Sequence, residues 1–497
     1  MSSSAASLRS GLTIALGRAA RLAARLRGGG SGGTALPGLV MEKTDPGFLR
    51  RTLDQLPLGV VVVSGTNGKT TTTKMVVELL TAQGLKVLTN RTGSNFVRGV
   101  LASLLTEVDA VGRLHHDVAV LELDEAHAVR FVRRVRPRAA LLLNVMRDQL
   151  DRFGEIDYTA SLLHKVAAAT TDVVVVNADD PRLSGPAFFE GVRARTAAFG
   201  AGPGLRSLFV SDDDLRTGAA QAEEARREAP QAGADRAEDQ DPEAEQTGQT
   251  GQTGQSGSGR STTSAAAPAA PETSTPPAPR VSLQSLSGQD AVVRVDGADH
   301  DIAFAIPGIH NQLNACAALA VALETLGDRA DLAGLLATLA RVQAAFGRGE
   351  VLTLDGRDVQ LSLVKNPAGF RMGLLTAAEA VRSGGPESVM IAINDEYADG
   401  RDMSWLWDVE FAGLRTEGVA VVTGVRAWDM ALRLRYDEVP IGTVEPDLTR
   451  AVALLRRAAS AADDGAGRPM RIFTTYTAML ALRAHLAELT DVEEALT

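Results

Sequence analysis

A two-domain α/β protein with a parallel sheet in each domain is predicted by three observations. Apolar, β-branched runs recur along the chain with helical stretches between them. Polar residues gather where several of those runs end. One low-complexity stretch, residues 203–281, interrupts the alternation and then lets it resume. Uninterrupted apolar runs suit strands covered on both faces, and such sheets bind ligands at the carboxyl ends of their strands. With 497 residues there is chain for two or three domains. The expected division is a basic amphipathic segment (1–45), a central domain (46–347) holding the insertion, and a smaller C-terminal α/β domain (348–497).

Residues 1–41 contain five arginines and no acid. Leu8, Leu12, Leu16, Leu22 and Leu26 fall on or near one helical face, between Arg9, Arg18, Arg21, Arg25 and Arg27. The apolar run is too short for a secretory signal or a membrane span. Two readings stand: a helix that packs on its own protein, or one that lies on an anionic membrane surface. The glycine-rich GGGSGG at 28–33 reads as a flexible link.

Residues 61–74 read VVVSGTNGKTTTTK. A strand runs into a turn bracketed by Gly65 and Gly68, and a helix opens with Lys69, Thr70 and Thr71. This order suits a nucleotide phosphate. The turn, with Thr66 and Asn67 inside it, points backbone N–H groups inward, and the helix N-terminus adds its dipole. Lys69 supplies a charge, and the Thr70 hydroxyl reaches toward Mg²⁺. Val63 stands where the usual phosphate loop has its first glycine, so this is the short form, Gly-Thr-Asn-Gly-Lys-Thr. The prediction is an ATP site. A helix at Lys74–Ala82 follows, then strands at Lys86–Thr89, Asp117–Leu123, Arg138–Asn144 and Asp172–Asn177. Glu122, Asp124, Asn144, Asn177, Asp179 and Asp180 lie at their carboxyl ends.

Residues 203–281 lack apolar periodicity and aromatic density, and read as a disordered insertion within the central domain. Strand-like Ala291–Val295 and Ile302–Ala305 follow, then PGIHNQLNACAALAVALETLG opens a helix with His310, Asn311 and Asn314 at its start. Strands at Val359–Leu363, Val389–Ile393, Gly418–Val422 and Arg471–Thr474 form the second alternating region, with helices at Gly369–Val381, Ala427–Leu434 and Leu448–Ser460. Between them lies NDEYADGRDMSWLWD (394–408), an acidic loop carrying two of the three tryptophans. Such a loop beyond a buried strand is a candidate for function, or a surface loop that turns Trp405 and Trp407 into the core.

The net charge is −10, and residues 211–245 account for −8 of it, so the rest is near neutral and not that of a general nucleic-acid binder. Cys316, the only cysteine, excludes an intrachain disulfide and a cysteine-built zinc site, and fits a reducing cytoplasm. It sits in an alanine-rich helix without a nucleophile turn, so the chain shows no glutaminase of its own.

In order, SGTNGKTTTTK, NRTGSN (90–95), ELDEA (122–126), LLLNVMRDQLDRFGE (141–155), NADDP (177–181), GIHNQLNACAALA (308–320) and FGRGE (346–350) resemble the Mur ligase superfamily. KNPAGF (365–370), the acidic loop and TYTAML (475–480) are similar to its MurT-type branch, the ligase subunit of lipid II isoglutaminyl synthase. The resemblance spans about residues 40 to 485, the insertion aside. It implies ATP-dependent amidation of the D-glutamate α-carboxylate of the lipid II stem peptide through an acyl phosphate, with ammonia from a GatD-type glutaminase partner. It implies that Lys69 holds the β/γ-phosphates, that Thr70 and Glu122 hold Mg²⁺, and that Asn311 and Asn314 lie against the nucleotide. Asn90, Thr92, Ser94 and Asn95 would line the substrate cleft. Asp399 or Asp402 would complete the partner's Cys–His pair.

Three departures bear on this reading. Asp148-Gln149-Leu150-Asp151 lacks the histidine that many Mur ligases have there. A four-cysteine zinc ribbon cannot form, so no zinc is expected. Some 50 residues before the phosphate loop leave no room for a UDP-binding domain, which favours a lipid-linked substrate and a place at the inner face of the membrane. The rival readings are a stand-alone amino-acid ligase of the Mur or folyl-polyglutamate kind and a non-catalytic, nucleotide-gated scaffold.

Overall fold

The computed structural model describes residues 2–26, 35–90, 96–146, 155–209, 278–343, 348–461 and 467–490. Nine strands form the first sheet: β1 Val60–Ser64, β2 Val87–Thr89, β3 Val118–Glu122, β4 Ala139–Leu142, β5 Val173–Asn177, β6 Arg195–Ala201, β7 Pro279–Ser287, β8 Asp290–Val295 and β9 Ala298–Ala303. Their order is β2-β3-β1-β4-β5-β6-β7-β8-β9. Pairing is parallel from β2 through β7, and β7, β8 and β9 form an antiparallel meander.

The apolar runs alternate between two cores, as a doubly covered sheet requires. Val60, Val62, Leu121 and Leu142 face one side with α2 (Ala35–Thr44), α3 (Phe48–Leu53), α5 (Val97–Glu107), α6 (Glu125–Val132) and α7 (Glu155–Ala169). Val61, Val63, Val120 and Leu141 face α4 (Lys69–Ala82), α9 (Ile309–Leu326) and α10 (Leu332–Leu339) on the other. The short α8 (Pro181–Ser184) follows β5 and is capped by Asp180, which accepts from Arg182 N at 2.9 Å.

The second sheet runs β10-β11-β15-β12-β13-β14, from Arg348–Leu354, Arg357–Leu363, Met470–Thr474, Ser388–Ala392, Val419–Thr423 and Ile441–Val444 in that order. β10 and β11 form an antiparallel hairpin across Asp355-Gly356, and the remaining pairs are parallel. α11 (Pro367–Gly384) and α12 (Ala427–Tyr436) cover one face, and α13 (Leu448–Ser460) and α14 (Tyr476–Leu486) the other.

Three expectations need correction. The stretch 203–281 was too wide for an insertion. Residues 203–208 form a 3₁₀ turn, and β7 begins at Pro279 with Val281 fully buried. The part between, 210–277, lies outside the described residues. Ile302–Ala305 is not a strand of its own, because β9 starts at Ala298 and ends at Ala303.

The third correction concerns the basic N-terminal helix, α1 (Ser2–Leu26). It packs on its own protein, but not through the leucine face. Thr13, Ile14 and Gly17 are buried, and a Cβ on Gly17 would meet Met41 Sδ at 2.9 Å and Leu105 Cδ1 at 3.0 Å. Leu12, Leu16 and Leu22 project into solvent. Small residues allow the close approach to α2 and α5, and at 3.6 residues per turn they lie roughly opposite the leucines. Among the described residues, no helix is long and apolar enough to cross a membrane.

Candidate active site

The register of the first sheet brings the ends of β1, β3 and β4 together: Val63 lies beside Glu122 and Ser64 beside Leu142. The phosphate-loop segment leaves β1 at this edge. Gly65 (φ 132°) and Gly68 (φ 85°) hold backbone conformations that L side chains rarely adopt. A Cβ on Gly65 would meet the Asn144 backbone at 3.0 Å, and one on Gly68 would meet Asn314 Oδ1 at 2.7 Å. Gly68 is the N-cap of α4 and gives it no side-chain cap, so the first-turn N–H groups face the loop's hollow.

Asn144 shapes that hollow. Its Oδ1 accepts from Asn67 N at 2.8 Å, its Nδ2 donates to Asn67 O at 3.1 Å, and its carbonyl accepts from Thr66 N at 3.0 Å. Thr66 Oγ1 accepts from Met146 N at 3.1 Å. The loop is thus pre-shaped by the segment that follows β4 rather than by its own residues alone.

Lys69 is almost wholly buried, and its Nζ donates to Gly65 O at 2.7 Å and lies 3.2 Å from Asp124 Oδ1 and 3.8 Å from Glu125 Oε1. Burial by itself lowers its pKa, but the carboxylates of Glu125, Asp124 and Glu122 outweigh that and hold it above the ordinary lysine value. Lys69 is therefore a fixed positive charge beside the helix N-terminus. Thr70 Oγ1 donates to Glu122 Oε1 at 2.8 Å, so the hydroxyl and carboxylate expected at a magnesium ion are neighbours. Thr71 is buried in the first turn. Among the described residues, no group of three or more His, Cys, Asp or Glu side chains is arranged to hold a metal.

Asn90 is placed at the end of β2, where its Oδ1 accepts from Glu122 N at 2.9 Å and its Nδ2 donates to Glu122 O at 2.8 Å. These bonds align the Glu122 backbone. Thr92, Ser94 and Asn95 lie outside the described residues, as does Asp148-Gln149-Leu150-Asp151. At the start of α9, Asn311 donates through Nδ2 to Pro307 O at 2.6 Å, which holds the turn, while Asn314 faces Gly68. His310 Nδ1 is enclosed without a hydrogen-bond partner, and burial pushes the imidazole pKa down to about 4.

The second domain reaches this loop through the KNPAGF segment. Asn366 Nδ2 donates to Asn67 Oδ1 at 3.1 Å, Asn67 Nδ2 donates back to Asn366 Oδ1 at 3.4 Å, and Lys365 Nζ lies 3.5 Å from Thr66 O. Asn366 is fully buried and also caps α11, its Oδ1 accepting from Gly369 N at 2.8 Å. A second lysine thus stands at the phosphate loop.

The acidic loop leaves β12 at the carboxyl edge of the second sheet. Asn394 ties it down: its N–H donates to Thr475 Oγ1 at 2.8 Å and its Oδ1 accepts from Val425 N at 3.0 Å. Asp399 is only 2% exposed. Its carboxylate accepts from Thr477 N at 2.7 Å, from Glu396 N at 3.1 Å and from the Thr477 hydroxyl. Asp402, three residues on, is exposed; the Ser404 N–H donating to its Oδ1 at 2.9 Å lowers its pKa. Of the two aspartates, Asp399 holds the loop from inside and Asp402 stands at the surface. Trp405 is in the core, whereas Trp407 is half exposed and meets Tyr436 edge-on with ring centroids 5.5 Å apart. Cys316 is buried in α9, its thiol pushed up to about 12 by burial.

Two family models match the chain, the Mur ligase middle domain over residues 63–216 and the MurT ligase C-terminal domain over 363–479. A Streptococcus pneumoniae protein named lipid II isoglutaminyl synthase (glutamine-hydrolyzing) subunit MurT is 28% identical over 461 residues, 92% of each chain. Its Staphylococcus aureus namesake is 27% identical over 467 residues, 90% of this chain and 92% of that one. The fold is similar to that of the MurF ligase of Thermotoga maritima solved with ADP, with a TM-score of 0.58 at 16% identity over 91% of this chain and 84% of that one. With the phosphate loop inside the first matched region and the acidic loop inside the second, the chain joins a Mur ligase middle domain to a MurT-type C-terminal domain and is similar over nearly its whole length to MurT subunits.

Proposed function

We propose that this chain is the ATP-using ligase subunit of a lipid II isoglutaminyl synthase, amidating the D-glutamate α-carboxylate of the stem peptide. The observation that carries the chemistry is the Lys69, Thr70 and Glu122 constellation at an uncapped helix N-terminus. The acceptor and the amide product come from the names of the pneumococcal and staphylococcal relatives, whose length the chain covers almost fully.

A carboxylate resists attack by an amine. Transfer of the γ-phosphoryl group of ATP to its oxygen gives an acyl phosphate and releases ADP. The nitrogen lone pair of ammonia then attacks the acyl carbon, the bond to the phosphate oxygen breaks, and a proton leaves the nitrogen. The protein's share is alignment and charge neutralisation. First-turn N–H groups of α4 and Lys69 hold the phosphates, and Lys365 adds positive charge from the second domain. Thr70 and Glu122 fit Mg²⁺, since both offer hard oxygen donors beside the phosphate position; the ion would neutralise charge on the phosphate oxygens. Asn314, whose amide lies against Gly68, would contact the nucleotide.

Ammonia is supplied by a glutaminase subunit of the GatD type, because the one thiol of this chain is inert inside α9. Asp402 is the group that orients the partner's catalytic histidine, being exposed and ionised. The complex works in the cytoplasm, against the membrane that carries the acceptor.

The test is reconstitution. The chain with a GatD-type subunit, ATP and lipid II should yield a product one mass unit lighter by exchange of hydroxyl for amine, with either glutamine or ammonium as nitrogen source. ADP release that depends on an added amino acid and not on ammonium would overturn this reading in favour of a stand-alone ligase.

A further inference from the structure

The packing of α1 on α2 and α5 leaves its leucine face outside. Leu12 is 64% exposed, Leu16 40% and Leu22 60%, with exposed Ala15, Ala19 and Ala23 between them. The opposite face, Thr13, Ile14 and Gly17, is fixed to the protein. The helix therefore lies along the surface like a rail, with its leucines outward. At 1.5 Å per residue its 25 residues span about 37 Å.

The charges that α1 itself carries are all of one sign. Arg9 and Arg18 lie on its two flanks and are exposed, Arg9 keeping 58% of its side chain in solvent even while it meets Asp45. Arg25 and Arg27 continue the series in sequence, and no acid occurs before Glu42. An apolar stripe edged by arginines matches the boundary layer of an anionic bilayer, where leucines enter the acyl region and guanidinium groups meet phosphates. A second copy of the same helix would place arginines against arginines.

We propose that α1 docks the protein on an anionic lipid surface through Leu12, Leu16 and Leu22, with the flanking arginines on the headgroup phosphates. This surface acts independently of the amidation chemistry and adds to it a two-dimensional search for a lipid-borne acceptor.

The experiment is sedimentation of the full chain with vesicles that contain no acceptor, so its outcome is separate from that of the catalytic reading. Vesicles of phosphatidylcholine with phosphatidylglycerol should bind the protein, pure phosphatidylcholine should bind it far less, and added salt should weaken the binding. The triple variant L12E/L16E/L22E should lose about tenfold or more in affinity while its melting temperature holds, because these side chains support no core. The variant R18Q should lose less, and only on the anionic vesicles. Binding that is absent, indifferent to lipid charge, or unchanged in the triple variant would overturn the proposal. So would a wild-type dimer in sedimentation velocity that the triple variant turns into a monomer, since a second copy would then cover the face.

Discussion

The phosphate loop and the acidic loop occupy the same place in their two sheets, the carboxyl edge of a parallel array, yet they are built for opposite ends. The first is closed in on itself. Asn144 shapes it, Asn366 of the other domain locks it, and its lysine is held by three carboxylates. The second is half anchored: Asn394 and Asp399 are fastened to the N-terminus of α14, whereas Tyr397 and Asp402 stand in water and Trp407 is half exposed. A site that must align a small charged group gains from a rigid frame. A site that meets another protein has to present groups outward from such a frame. The two aspartates of ADGRD are three residues apart, yet Asp399 is buried in the anchored half of the loop and Asp402 is exposed in the other.

Lys69→Ala strikes the first region and carries the largest expected effect. Removing a pre-aligned charge should lower amidation at least about a hundredfold with glutamine and with ammonium alike. Unchanged rates in both assays would remove the loop from the mechanism.

The two aspartates separate the halves of the second region. Asp402→Asn should cut glutamine-driven amidation by about a hundredfold while ammonium-driven amidation and the melting temperature hold, as for loss of a group that orients a histidine. Asp399→Asn replaces a buried acceptor of three hydrogen bonds, and should destabilise the domain by roughly 2 kcal/mol and lower both activities together. A variant of Asp399 that loses only the glutamine-driven rate would reverse the assignment.

Asn366→Ala sharpens the link between the regions. It removes both the amide pair to Asn67 and the cap of α11, so a loss of about 1–2 kcal/mol in stability is expected. The KM for ATP should rise with it. A rise in KM without any change in stability would show that the pairing serves nucleotide binding alone.

The last effect concerns acid and is confined to low pH. The folded protein favours neutral His310, whose pKa falls from 6.5 to about 4. Its contribution is complete above 6.5 and is lost as the pH falls from there toward 4, because the unfolded chain takes up the proton first. His310→Gln, neutral throughout, should flatten the melting temperature across that window; an unaltered slope would place the acid sensitivity elsewhere.

What could be read from sequence followed the distance over which each feature is determined. The phosphate loop was legible because strand, turn, lysine and helix are consecutive. The clamp from Asn144 lies 77 residues away and that from Asn366 lies 299 away, so no local pattern announces them. Asp399 and Asp402 look alike until Thr477, 78 residues on, captures one of them. The central strands were found as apolar runs, but β10 and β14 lie at sheet edges, carry polar residues and lack that signal. The leucine stripe of α1 was visible as a face, but periodicity cannot say which side of a helix touches the protein; the glycine opposite did.

The parallel pairing of β6 with β7 limits how the chain can be shortened. Arg195–Ala201 and Pro279–Ser287 run the same way, with Ala198 beside Pro279 and Ala201 beside Leu283. Whatever joins them has to travel back along the sheet before β7 begins, and parallel neighbours need a connection of about a dozen residues or more. Cutting out 210–277 and fusing the ends would pull β7 out of register and strip Val281 and Leu283 from the core. A spacer of that length in its place leaves both strands where they are, so the minimum size of this protein is set by a return path rather than by any residue on it.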